Sequence, residues 1–137
     1  MNSHLELTDQ KFLHSLELGD LHPSLFNHEA HLRLAYLHLT NFSIDQAIEN
    51  VTSQIQEYVI KWGAESKYNH TLTIAAVYAV NHFMKKANAA SFNDLLRAFP
   101  VLLTNFKELM DSHYGFDIFQ SSEAKRVYIA PDLQPFI

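Results

Sequence analysis

Apolar residues recur along this chain every three to four positions, the period of an α-helix, and strict alternation is nowhere sustained. A first helix is predicted over 8–18. Thr8 or Asp9 caps it, Phe12, Leu13 and Leu16 form its apolar stripe, and Gly19 supplies the stop. A second runs over 27–40 behind Asn27, and its faces are almost all apolar or aromatic, which predicts burial on more than one side. The third has the clearest pattern. Ser43 with Gln46 reads as a capping box, Ile44, Ala47, Ile48, Val51, Ile55, Tyr58, Val59 and Trp62 follow at helical spacing, and Gly63 ends it.

The fourth helix is predicted over 69–87. Leu72, Ala76, Ala79 and Phe83 form one stripe, and Ile74, Val77 and Met84 a second. Beyond Ala90 the elements shorten. Ser91 with Asp94 opens a short helix that stops before Pro100, another starts at Pro100 or Thr104 and ends near Met110, and a turn starts at Ser121 or Ser122. Val127, Tyr128 and Ile129 favour extended backbone but are too few to make a sheet alone. The connections are short, which favours neighbouring antiparallel helices. The pattern therefore predicts an all-α, single-domain helical bundle over 1–137, with about four longer helices. Short helices follow them, and 1–7 and 132–137 are expected to be peripheral tails.

Composition narrows the function classes. The 137 residues are 47% hydrophobic, with only 3 Gly and 4 Pro, too few for a turn-rich β-sandwich. The net charge is −5 and the densest basic spots are the pairs Lys85-Lys86 and Lys125-Arg126, which argues against nucleic acid as a partner. The absence of Cys removes disulfides, thiolate nucleophiles and Cys-ligated metals. The longest apolar run, Ile74 to Val80, is far short of the roughly 20 residues of a membrane span. A soluble, cytoplasmic protein is expected. No Gly-rich phosphate loop and no nucleophile elbow is present.

The unusual number is histidine: there are 9, six of them within the first 38 residues. At 100° per residue, His28, His31, Ala35 and His38 fall within about 80° of one another, so three imidazoles share a helix face. His28 and His31 are one turn apart, the way helices present ligands to a metal. The string His28-Glu29-Ala30-His31 is one residue short of the zinc-protease motif, and Glu29 points away from both rings. A third ligand is best supplied by His70, which sits in the first turn behind Asn69, where the helix dipole keeps an imidazole neutral. Tyr68 and Thr71 add hydroxyls beside it.

The candidate pocket is thus His28, His31, Tyr68, Asn69, His70 and Thr71. His28, His31 and His70 would hold a divalent metal such as Zn or Fe, and the pocket would admit a small molecule. The competing reading makes these histidines hydrogen-bonded core residues of a non-catalytic interaction module or homodimer. Haem ligation by one His is a third.

Three motifs occur in order: Phe26-x-His28-x-x-His31-Leu32-Arg33-x-Ala35-Tyr36, then Tyr68-x-x-Thr71-x-Thr73, then Ala130-Pro131-Asp132. Over about residues 24–135 the chain resembles a family of small bacterial all-helical proteins of unknown function. The resemblance implies a helical fold and a candidate pocket, and no reaction. Family members often read Tyr-His-Glu-Thr-x-Thr where this chain has Tyr68-Asn69-His70-Thr71-Leu72-Thr73, so Asn69 stands in the place of the usual His and His70 in that of the usual Glu.

Overall fold

A computed structural model describes residues 2–137 and shows an all-α protein, with eight α-helices and no strand among the described residues. The chain divides into two compact units, Met1–Tyr68 and Asn69–Ile137. No helix is long and apolar enough to cross a membrane.

The first unit holds α1 (Asp9–Glu17), α2 (His28–Asn41) and α3 (Ile44–Lys61), with α3 packed against both others. Each starts where a side-chain oxygen accepts an orphan backbone N–H: Thr8 from Lys11, Asn27 from Ala30 and Ser43 from Gln46. The capping box is only half made, because the Gln46 amide donates to Asn50 Oδ1 at 2.8 Å instead of turning back to Ser43. Gly19 (φ 73°) and Gly63 (φ 66°) end α1 and α3 in the left-handed region that glycine enters without Cβ strain. Along α2, Ala30 and every residue from Leu32 to His38 are buried, on all sides of the helix. Tyr58 of α3 donates to Leu21 O at 2.6 Å, and burial pushes its phenol up to about 12.

The second unit holds α4 (His70–Lys86), α5 (Phe92–Ala98), α6 (Val101–Thr104), α7 (Phe106–His113) and α8 (Ser122–Arg126). In place of one helix after Pro100 there are two, because the backbone breaks at Asn105 (φ −133°, ψ 40°). Asn69, Ser91 and Ser121 cap α4, α5 and α8. α4 packs against α8, and α6 joins α5 to α7.

The extended residues Val127–Ile129 find backbone partners without a sheet. Buried Thr71 on α4 donates its hydroxyl to Val127 O at 2.7 Å and accepts from Ile129 N at 3.0 Å. One side chain thus satisfies the two groups that a neighbouring strand would have paired. Residues within 2–7 and 132–137 make contacts with their own units. His4 is fully buried, and residues 132–137 dock on their own unit through Leu133 N to His113 O and a stack of Phe136 on His113.

Candidate functional site

The residues singled out from the sequence fall in both units: His28, His31 and Tyr68 in the first, Asn69, His70 and Thr71 in the second. In the first unit, His28 opens α2 and is exposed, while His31, one turn on, is half-buried and stacks on Phe26 with ring centroids 4.0 Å apart and planes 15° from parallel. Phe26 meets Tyr58 edge to face at 4.9 Å. Burial, aided by the charge of His28, lowers His31 to about 4, so its imidazole is neutral at physiological pH.

In the second unit, Asn69 is committed to structure. Its Oδ1 accepts from Leu72 N at 2.9 Å to cap α4, and its Nδ2 donates to Ile118 O at 2.7 Å. Thr71 is equally committed, to Val127 and Ile129, and Thr73 donates to Asn69 O at 2.8 Å. His70 is half-buried and burial lowers its pKa, the direction expected for an imidazole kept neutral. Among the described residues no group of three or more His, Asp or Glu is placed to hold a metal ion.

The histidine with the fullest set of contacts, His4, lies outside the candidate pocket. His4 Nε2 lies 2.9 Å from Glu29 Oε1, and its Nδ1 is 3.3 Å from the Arg33 guanidinium. Arg33 can only donate, so Nδ1 is the acceptor and Nε2 carries the proton that goes to Glu29. Buried Arg33 also donates to His4 O, Leu7 O and Asp9 Oδ1, each at 2.8 Å, and its guanidinium lies 4.4 Å from the centre of the Phe12 ring. The array resembles a carboxylate–imidazole dyad, but its second nitrogen is occupied by a cation, so it cannot take a proton from a substrate. Burial lowers the His4 pKa, opposed by Glu29 and assisted by Arg33. No local pattern marks this cluster, since His4 and Arg33 are joined across 29 positions; only the apolar flanks of Arg33 hint at a buried partner.

The other rings divide between caps, docking and burial. His22 Nδ1 accepts from Ser24 N at 3.1 Å and caps the 3₁₀ turn Pro23–Leu25. His113 Nδ1 donates to Gln134 O at 2.8 Å. His38 is buried, with Asn50 Nδ2 3.4 Å from its Nδ1 and no partner at Nε2, and burial lowers its pKa. A shallow open depression in the second unit, lined by Asp111, Tyr114, Gly115, Phe116, Asp117 and Leu133, contains none of the residues that the sequence pointed to.

These shifts predict a stability profile. His4, His31, His38, His70 and His82 all hold a proton less readily folded than unfolded. The stability each contributes is therefore complete above the unfolded value near 6.5 and is lost as pH falls toward the folded value, about 4 for His31. Urea midpoints should fall steadily from pH 6.5 to pH 4, and more shallowly in His31→Gln. An unchanged slope in that variant would show that His31 is not a source of the loss.

The chain matches no protein-family model, no curated protein and no solved structure.

Proposed function

We propose that this chain is a non-catalytic helical interaction module whose histidines serve structural roles. The observation that carries this reading is what the ring nitrogens are spent on. His4 bonds Glu29 and Arg33, His22 caps a turn, and His113 holds the carbonyl of Gln134. Asn69 and Thr71, placed in the candidate pocket by the sequence, likewise spend their polar atoms on backbone groups of their own unit. Groups spent in this way position helices and segments, and a binding surface is what such a scaffold can present.

The second reading is a pocket for a divalent metal or a small molecule, favoured by His31. Its imidazole is held neutral beside His28 on the same helix, and the neutral ring is the form that ligates Zn or Fe. Thermal unfolding with added Zn²⁺ or Fe²⁺ separates the two, since a ligand that binds only the folded state raises the transition temperature. The interaction module predicts no stabilisation at stoichiometric metal. A stoichiometric rise that His31→Ala abolishes would replace it with the metal site.

A further inference from the structure

We propose that the second unit carries a peptide-binding groove, filled in cis by residues 132–137 and open to the same segment of a second copy of this chain. The proposal rests on the interaction-module reading and names its partner.

Residues 132–137 form no helix and make no ladder, yet two consecutive residues are held by their main chain. Leu133 N donates to His113 O at 2.9 Å, and His113 Nδ1 donates to Gln134 O at 2.8 Å. These bonds are indifferent to side-chain identity. The specific contact is Phe136. Its ring stacks on His113 with centroids 3.9 Å apart and planes at 25°, and faces Tyr78 of α4 at 6.2 Å and 9°. Main-chain bonds that supply affinity and one side chain that supplies specificity are the two parts of peptide recognition in a groove.

The rest of the segment is loosely held. Leu133 is 60% exposed and Ile137 84% exposed, and Gln134 and Pro135 are exposed as well. A stretch with one anchored ring and few main-chain bonds opens locally at far lower cost than the helices open. The hinge is defined by what lies on either side of it. Ile129 is fixed by Thr71 and by the Tyr114 hydroxyl, which donates to Ile129 O at 2.8 Å, whereas Ala130 is exposed. Just beyond the hinge a latch adds to those contacts: Gly115 N donates to Asp132 Oδ1 at 2.8 Å. Once the latch and the contacts of Leu133, Gln134 and Phe136 have opened together, the same sites are available to an identical segment from another molecule, which is the condition for segment exchange. The cis segment has the advantage of effective concentration, in the millimolar range for a short tether, so exchange is concentration-dependent.

The test uses the full chain and a fluorescent peptide of sequence Pro-Asp-Leu-Gln-Pro-Phe-Ile, residues 131–137, read by anisotropy. Phe136→Ala frees the anchor position, so that chain should bind the peptide at least about tenfold more tightly than wild type, whose groove is filled. A peptide with Ala in place of Phe should not bind. Asp132→Ala opens the latch without altering the groove and should shift the peptide affinity in the same direction, which keeps the proposal testable if Phe136→Ala misfolds. Light scattering supplies the second-copy arm: Asp132→Ala should dimerise at lower concentration than wild type, and adding Phe136→Ala to it should abolish the dimer. Equal peptide binding by wild type and both variants would overturn the groove. Peptide binding without any dimer would overturn the second copy as occupant. Neither result bears on the metal titration, which judges the interaction-module reading by itself.

Discussion

Arg33→Ala should lower the stability of the protein by about 3–4 kcal/mol, the largest effect expected of any single polar substitution here. The guanidinium is buried and is bonded to His4 O, Leu7 O and Asp9, with a further contact to His4 Nδ1. Removing it strands acceptors that water reaches poorly around fully buried His4, and it withdraws a cation from the face of Phe12. Lys should recover only part of the loss. Two guanidinium nitrogens serve different acceptors at once, and a single ammonium on a flexible stem lacks that fork. Denaturant unfolding checks the magnitude. A loss below about 1 kcal/mol would mean that residues 2–8 are held by apolar contacts and that the array adds little.

Asn69→Ala should cost about 2–3 kcal/mol, made of roughly 1 for the lost cap of α4 and the remainder for stranding the Ile118 carbonyl. The residue is buried and does both jobs with opposite ends of one amide. The substitution Asn69→Asp separates the two. It keeps the acceptor that caps Leu72 N but has no N–H for Ile118 O, so it should lose more than the cap is worth. Equal stability of Asn69→Asp and the wild type would show that the Ile118 bond contributes nothing. The Asn69 side chain is thus spent on helix geometry and on a backbone carbonyl.

The caps were legible because they are local. Thr8, Asn27, Ser43, Asn69, Ser91 and Ser121 each accept from an N–H three residues on, a distance that the sequence itself displays. Gly19 and Gly63 were legible stops for the same reason, since a positive φ is where glycine is cheapest. The break at Asn105 was not, because Pro100 and Thr104 both offer plausible starts and no nearby residue forbids a continuous helix. The capping box at Ser43 was half right. The donor side is decided by a choice between two neighbours of Gln46, and Asn50 wins it.

The polar chemistry was read less well. Helical spacing correctly placed His28 and His31 one turn apart, but spacing says nothing about what a ring faces. His31 stacks on Phe26, which precedes the helix, and His4 is engaged by side chains 25 and 29 positions away. Thr71 appeared as a hydroxyl near a pocket, and it instead satisfies the backbone of Val127 and Ile129, more than 50 positions on. Asp132 of the Ala-Pro-Asp motif is the latch on Gly115.

By itself the sequence determined the fold class, the boundaries of the longer helices and the residues that cap them. Those properties depend on periodicity and on hydrogen bonds that span three or four positions, so the chain carries them in plain order. Only the tertiary structure decided which histidines are partnered, why Arg33 is buried, and that Asp132, Leu133, Gln134 and Phe136 contact Gly115, His113 and Tyr78. Each of those depends on groups brought together across tens of residues, where the cost of an unpaired buried donor or acceptor, and not local propensity, selects the partner.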